Sequence, residues 1–135
     1  MRTLYSAGYR NLSLDAFCAF IAREGLVVAD VRLRPYSILN PTWNQKALVQ
    51  RLGDRYAWIP ELGNLNYKGG PIALQNEAGG LERVRALLRD TSVVVLCVCP
   101  DAATCHRTVV INKLAAEAFV GSLPELGGPL PEGGA

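Results

Sequence analysis

The sequence is poor in histidine and lysine, and it contains no long hydrophobic run. The single histidine is His106, and 14 Lys and Arg side chains against 12 Asp and Glu give a net charge of +2. That balance excludes coating of nucleic acid or adsorption to a membrane by charge alone. No segment has the apolar length needed to cross a bilayer, and the first residues lack the apolar core of a signal peptide. We therefore expect a cytoplasmic protein without a membrane partner.

The cysteines do not match a recognised framework. Four are present, and in a reducing compartment they are expected to be free thiols: Cys18, Cys97, Cys99 and Cys105. Their spacing does not fit a zinc knuckle, and the Cys-x5-Arg phosphate cradle is absent because Cys105 stands where arginine is needed. We interpret Cys18 and Cys97 as core packing, and we expect no metal and no cofactor.

The length and the apolar content predict one domain over residues 1–135. Half of the residues are apolar, which is enough for a real core, and the stretch 121–135 is rich in Gly and Pro and is interpreted as a surface strap or tail. Eleven of the 14 cations are Arg. Planar guanidinium groups suit recognition of phosphate or carboxylate, although a GC-rich genome would produce the same bias.

Apolar periodicity predicts four β-α repeats. Strands are predicted at 3–6, 26–31, 56–59 and from 93, each followed by a helix, with the last helix reaching about residue 119. Strict alternation of strands and helices is typical of a parallel sheet covered on both faces. The predicted fold class is α/β: a three-layer αβα sandwich with a mainly parallel, four-stranded, Rossmann-like sheet. The long Gly- and Asn-rich connection 64–80 is either a functional lid or a mobile segment.

The most informative stretch is 93–107, where a β-branched run stops at Pro100 and a polar triplet follows. We expect Cys105, His106 and Arg107 in the first turn of the last helix, where free amides and the helix dipole favour thiolates and anions. Cys105 is then a candidate nucleophile or redox thiol, with packing as the alternative. His106 is either a general acid or base or a hydrogen-bonded structural side chain.

Polar side chains follow every predicted strand. Because parallel strands end at one edge, and ligands bind beyond the carboxyl ends, these groups should converge. They are Gly8 and Arg10 after the first strand, Asp30, Arg32 and Arg34 after the second, Glu61 after the third, and Cys99, Asp101, Cys105, His106 and Arg107 after the fourth.

Four short motifs in this order resemble a bacterial family of domains of unknown function, number 488. They are Asp30-Val31-Arg32, Asn40-Pro41-Thr42-Trp43-Asn44, Pro60-Glu61-Leu62-Gly63 and Cys105-His106-Arg107. The resemblance implies an α/β domain with Asp30, Arg32, Pro60, Glu61, Cys105, His106 and Arg107 as signature positions, and it brings no established reaction. The chain departs from the usual pattern at Tyr9, where a histidine normally follows the glycine, and at Asn64, where another glycine is expected.

The acidic residues allow two roles. Asp30 and Glu61 form a carboxylate pair for acid/base work, or one of them holds Arg32 or Arg107 in a bidentate contact; we favour the second role. The candidate ligand-binding side chains are Arg10, Arg32, Arg34, Asn44 and Arg107, and the candidate catalytic side chains are Cys105, His106, Asp30 and Glu61. Tyr9, Trp43 and Tyr67 either stack on a base or pack in the core.

The function predicted from these residues is binding of a phosphate-bearing ligand, either a nucleotide or nucleic acid, at the strand ends. An enzyme of nucleotide or nucleoside chemistry is the leading version. A non-catalytic nucleic-acid-binding or adaptor module is the first alternative, and a thiol-dependent redox or transfer enzyme using Cys105 is the second. The sequence does not assign a reaction or an oligomeric state.

Overall fold

A computed structural model of the chain describes residues 2–9, 12–38, 41–98 and 105–123. Three of the predicted polar groups, Arg10, Cys99 and Asp101, and the greater part of the predicted tail lie outside these residues. Five strands are present: β1 (Thr3–Gly8), β2 (Val27–Asp30), β3 (Tyr56–Trp58), β4 (Val93–Cys97) and β5 (Phe119–Ser122). Four α-helices connect them: α1 (Leu14–Glu24), α2 (Gln45–Leu52), α3 (Glu77–Leu88) and α4 (His106–Leu114).

All strand pairs are parallel, in the order β3-β2-β4-β1-β5. β3 therefore forms one edge of the sheet and β5 the other, and β1 lies between β4 and β5. β4 lies between β2 and β1 and is completely buried. Its unbroken run of apolar residues is the pattern expected of a strand that is covered on both faces.

Helices cover both faces of the sheet, as the predicted sandwich requires. Alternate residues of β4 point to opposite cores. Val93, Val95 and Cys97 pack with residues of α3 and α4, whereas Val94 and Leu96 pack with residues of α1 and α2. The three-layer α/β class is confirmed.

The number of strands was predicted wrongly, because the sheet has five strands and not four. α4 ends at Leu114, and residues 119–122, assigned partly to that helix and partly to the tail, form the edge strand β5 beside β1. Phe119 and Val120 are more than half exposed. A four-residue edge strand carries little apolar periodicity, since its pairing partner and not a buried face defines it.

The helix ends follow local chemistry in most places. The Ser13 hydroxyl accepts from the amide of Ala16 at the start of α1, and Gly25 closes that helix in the left-handed conformation. α2 begins after Asn44, because Pro41–Trp43 forms a separate 3-10 turn.

The segment 64–80 contains more structure than the sequence suggests. The Asn64 side chain accepts from the amides of Asn66 and Ala73, and Asn64 forms an antiparallel bridge with Leu74. α3 then begins at Glu77, inside the segment 64–80. Asn76 caps it by accepting from the Gly79 amide.

Among the described residues, no helix has both the length and the hydropathy needed to span a bilayer.

The glycine of the Pro60–Gly63 motif has a packing role that can be tested. A Cβ atom at Gly63 would lie 2.6 Å from the Leu33 Cα and 2.8 Å from its nitrogen, and this backbone cannot move away like a flexible side chain. We expect Gly63→Ala to lower the free energy of unfolding by about 1–3 kcal/mol, as for overpacking. Urea denaturation measures it, with Val49→Ala on the exposed face of α2 as the control. Equal stability of Gly63→Ala and the wild type would contradict the close approach.

Candidate functional site

A cavity of about 460 Å³ opens at the carboxyl end of the sheet. α4, which follows β4, packs on one face of the sheet. α1 and α2, which follow the neighbouring strands β1 and β2, pack on the other face, so the connections diverge at this point. Such switch points are where open α/β sheets bind ligands. The lining comes from the connections after β1, β2 and β4 and from the segment after β3: Tyr9, Arg32, Leu33, Arg34, Tyr36, Ser37, Tyr67, Val98 and His106.

Beneath this cavity lies a buried ion pair. Asp30 is completely buried at the end of β2, and both of its carboxylate oxygens accept from the Arg32 guanidinium, at 2.8 Å from Nε and 2.7 Å from Nη2. The Arg32 amide also donates to Asp30, and the Tyr56 hydroxyl supplies a further donor. This is the bidentate arrangement that we favoured over a catalytic carboxylate pair. Buried charges of this kind require such complete hydrogen bonding, because desolvation is costly.

Arg32 is fixed on its other sides as well. Nη2 donates to the Trp43 carbonyl at 2.8 Å, and the guanidinium carbon lies 5.3 Å from the centre of the Tyr9 ring, which stacks on the Trp43 indole. Burial lowers the pKa of Arg32, but the hydrogen bonds and charge of Asp30 outweigh it and raise this pKa above its ordinary value. Burial and the Asp30 charge raise the pKa of Tyr56. Arg32 therefore stays charged and Tyr56 stays neutral at any ordinary pH.

Several predicted site residues are engaged elsewhere. Glu61 forms an ion pair with Arg83 of α3 at 2.8 Å and does not line the cavity. The Asn44 side chain exchanges two hydrogen bonds with the Ser37 backbone, so it shapes the connection after β2. Tyr9 and Trp43, offered as stacking platforms, are buried against each other. Of the predicted cations that the structure describes, Arg34 is the exposed one on the wall of the cavity.

The second cluster lies at the start of α4. Cys105 occupies the N-cap position, one residue before the predicted first turn, and its Sγ is 3.8 Å from His106 Nδ1. His106 Nε2 lies 2.7 Å from the Val31 carbonyl oxygen. A carbonyl only accepts, so Nε2 carries hydrogen and Nδ1 faces the sulfur. A backbone carbonyl thus orients the imidazole toward Cys105, as activated cysteines require.

Cys97 belongs to the same cluster. The sulfurs of Cys97 and Cys105 and a ring nitrogen of His106 all lie within 4.8 Å of one another. The Arg107 guanidinium connects the cluster to β1. Its Nη1 donates to Cys97 Sγ at 3.1 Å, and its Nε donates to the Ser6 hydroxyl at 2.7 Å. Cys97 is therefore more than the packing residue that we predicted.

The pKa values of Cys97 and Cys105 shift in opposite directions. Hydrogen bonding from the Cys97 thiol lowers the pKa of Cys105; burial opposes this, and His106 and the Arg107 amide add to the lowering. The hydrogen bond to Cys105 and burial raise the pKa of Cys97, and Arg107 only partly offsets them. Because the two shifts are opposite, ionisation is favoured at Cys105 over Cys97.

Comparison with protein families finds a match over part of the chain. Residues 13–72 match the family described as "Domain of unknown function DUF488". The chain is similar to the DUF488 family over this segment. The match contains the Asp30–Arg32 pair and the Pro60–Gly63 motif, and it ends before β4 and the thiol cluster. No curated protein and no solved structure matches the chain.

Sequence reasoning missed several side chains that build the site. Tyr56 reaches Asp30 because β3 pairs with β2 in a register that places Tyr56 beside Val28, and the Trp58 indole donates to the Arg32 carbonyl. Ser6 reaches Arg107 from β1 across a separation of 101 residues. No local pattern marks these contacts, since each depends on strand order.

Removing the buried carboxylate should be severe. Asp30→Asn leaves the Arg32 charge buried without its counter-ion, and we expect the free energy of unfolding to fall by about 3–5 kcal/mol. Tyr56→Phe removes one hydrogen bond to a charged group and should cost about 1.5–3 kcal/mol. Urea denaturation measures both, with the exposed Asp54→Asn as the matched control. A loss below 1 kcal/mol for Asp30→Asn would mean that Arg32 gains solvent or another partner.

The Cys105 thiolate should be visible at neutral pH. A thiol with a lowered pKa is ionised below the range of a free cysteine, about 8.5, so the folded protein should show ultraviolet thiolate absorption there that disappears in Cys105→Ser. Cys18→Ser is the control, because burial raises the pKa of Cys18. Absorption that appears only as the pH passes that of a free thiol would contradict the assignment.

Proposed function

We propose that the chain binds a small phosphate-bearing ligand of nucleotide type in the cavity at the switch point of the sheet. The observation that supports this most directly is the combination of its position, its size of about 460 Å³ and its lining of tyrosines and arginine. Ligand sites in proteins span about 300–1,000 Å³ and join apolar walls to a few placed polar groups. A nucleoside monophosphate fits this description.

Arg34 is the side chain that we assign to the phosphate. It is exposed on the cavity wall, and it forms no ion pair with any residue in the described ranges. Arg32 and Arg107, which we first considered for this role, are more than nine-tenths buried and already donate to protein partners. A guanidinium that remains in solvent keeps its donors for an incoming anion.

Tyr36 and Tyr67 supply aromatic surface for the rest of the ligand. They are 66% and 54% exposed, unusual values for large aromatic side chains, and both line the cavity. Exposed rings beside a cation favour a flat, stacking group such as a nucleobase, since stacking tolerates every base. The same features suit one nucleotide of a single strand, so nucleic acid remains the alternative ligand.

The binding role of Arg34 is tested by calorimetry at low salt with nucleoside monophosphates. Arg34→Ala should weaken binding by on the order of 1–3 kcal/mol, as for a hydrogen bond to a charged group, and should leave the free energy of unfolding nearly unchanged. Arg89→Ala, on the exposed end of α3, is the matched control. Equal affinity of Arg34→Ala and the wild type would rule out this phosphate position.

The salt dependence separates the two ligand classes. A nucleotide that contacts one cation gives a shallow slope of log affinity against log salt, whereas a nucleic-acid strand that contacts several cations gives a steeper one, about 0.7 per phosphate neutralised. A steep slope with a single-stranded oligonucleotide, together with no binding of the monophosphate, would favour the non-catalytic nucleic-acid-binding module.

A thiol-dependent enzyme is the second candidate, and the contact between Cys105 and the oriented imidazole of His106 favours it. His106 also lines the cavity, so the thiol pair adjoins the proposed ligand site. A thiolate beside an oriented imidazole is the arrangement used for nucleophilic attack. This candidate and ligand binding in the cavity are compatible with each other.

A further inference from the structure

We propose that Cys105 and Cys97 form a redox-active dithiol, in which Cys105 attacks a small disulfide and Cys97 resolves the mixed disulfide. This inference develops the thiol-dependent candidate and does not depend on the identity of the ligand in the cavity. It goes beyond a single activated cysteine, because it assigns a chemical role to the buried Cys97 of β4.

The placement of the two sulfurs supports the pairing. Cys97 is the last residue of β4 and Cys105 is the N-cap of α4, so only the strand-to-helix connection separates them along the chain. Their sulfurs lie within 4.8 Å of each other.

The surroundings divide the roles between the two thiols. Cys105 Sγ lies 3.8 Å from His106 Nδ1, and Cys105 is the N-cap of α4, where the helix dipole favours a thiolate; it is therefore the attacking group. Cys97 has the Arg107 guanidinium at 3.1 Å, a fixed positive charge that stabilises its own thiolate at the moment of the second attack. Arg107 thus acts on both sulfurs, and the contact with the His106 imidazole distinguishes Cys105.

The reaction balances with a low-molecular-weight disulfide as the oxidant. The Cys105 thiolate attacks one sulfur of the disulfide, a bond forms to Cys105, and the first small thiolate leaves. Cys97 then gives its proton to that thiolate and attacks Cys105 Sγ, which releases the second small thiolate. The two cysteines are oxidised to one disulfide, and the small disulfide is reduced to one thiol and one thiolate, which takes its proton from water.

Because both cysteines are buried, we expect the disulfide between Cys97 and Cys105 to be the final product. Cys97 is 0% and Cys105 2% exposed, which excludes a disulfide between two folded chains and restricts the reagent to small molecules. Arg107 also weighs against the competing use of the same groups as a soft-metal site. A cationic donor on Cys97 Sγ already occupies a sulfur lone pair and adds positive charge beside the place that a metal ion would take.

The test uses bis(2-hydroxyethyl) disulfide, native protein and mass spectrometry after acid quenching. Wild-type protein should lose two hydrogens and retain no adduct, and cleavage before Asp101 should leave two peptides joined through Cys105. Cys97→Ser should instead accumulate the mixed disulfide on Cys105, at least tenfold above the wild type. Cys105→Ser should form neither product at the rate of the wild type.

Two controls keep the outcome specific. Cys99 lies on the same side of Asp101 as Cys97, so Cys99→Ser must still form the internal disulfide. Cys18→Ala must behave like the wild type, because Cys18 packs in the core on the other face of the sheet. An internal disulfide that disappears in Cys99→Ser and persists in Cys97→Ser would overturn the assignment of Cys97.

The remaining outcomes separate this inference from the candidate on which it rests. A mixed disulfide on Cys105 that is equally abundant in the wild type and in Cys97→Ser would remove the dithiol and leave Cys105 as a single nucleophile. If the thiols react only after the protein is unfolded, both the dithiol and the role of Cys105 as a single nucleophile are overturned. Zinc bound at one equivalent per chain, with both thiols reactive only after chelation, would reassign the cluster to a metal site.

Discussion

The bidentate ion pair between Asp30 and Arg32 is the interaction on which the carboxyl edge of the sheet depends. Both charges are buried, so their desolvation is costly. The hydrogen bonds of the Tyr56 hydroxyl, the Trp43 carbonyl and the Arg32 amide reduce that cost. Through these bonds one arginine joins β2, β3 and the turn before α2. The connection after β2 therefore has a fixed course, and the cavity takes its floor from that course.

The two clusters of the site meet at Val31. This residue lies between Asp30 and Arg32 in sequence, and its carbonyl orients His106 at the start of α4. The hydrogen bond joins the ion pair on one face of the sheet to the thiols on the other, because β2 and β4 are neighbours in the sheet. Position and tautomer of the imidazole are thus set by the same short segment that holds the buried arginine.

Arginine has more than one role in this chain. Arg32 and Arg107 are buried and act as cross-links between elements, where a planar fork with several donors is needed and lysine would not suffice. Arg34 remains exposed on the cavity wall, two residues from Arg32 in sequence. Cations that look alike in the sequence therefore divide into structural and ligand-facing groups by burial alone.

The sequence alone determined the α/β class, the placement of the main strands and helices, and the meeting of Arg32, Arg34 and His106 at one edge. Apolar periodicity and the rule that parallel strands end together carry that information in local patterns. Tertiary structure decided the fifth strand, the partners of Asp30 and Glu61, and the approach of Cys97 to Cys105. These depend on strand order and register, which bring Ser6 to Arg107 and Tyr56 to Asp30 across long stretches of chain, and no local pattern encodes them.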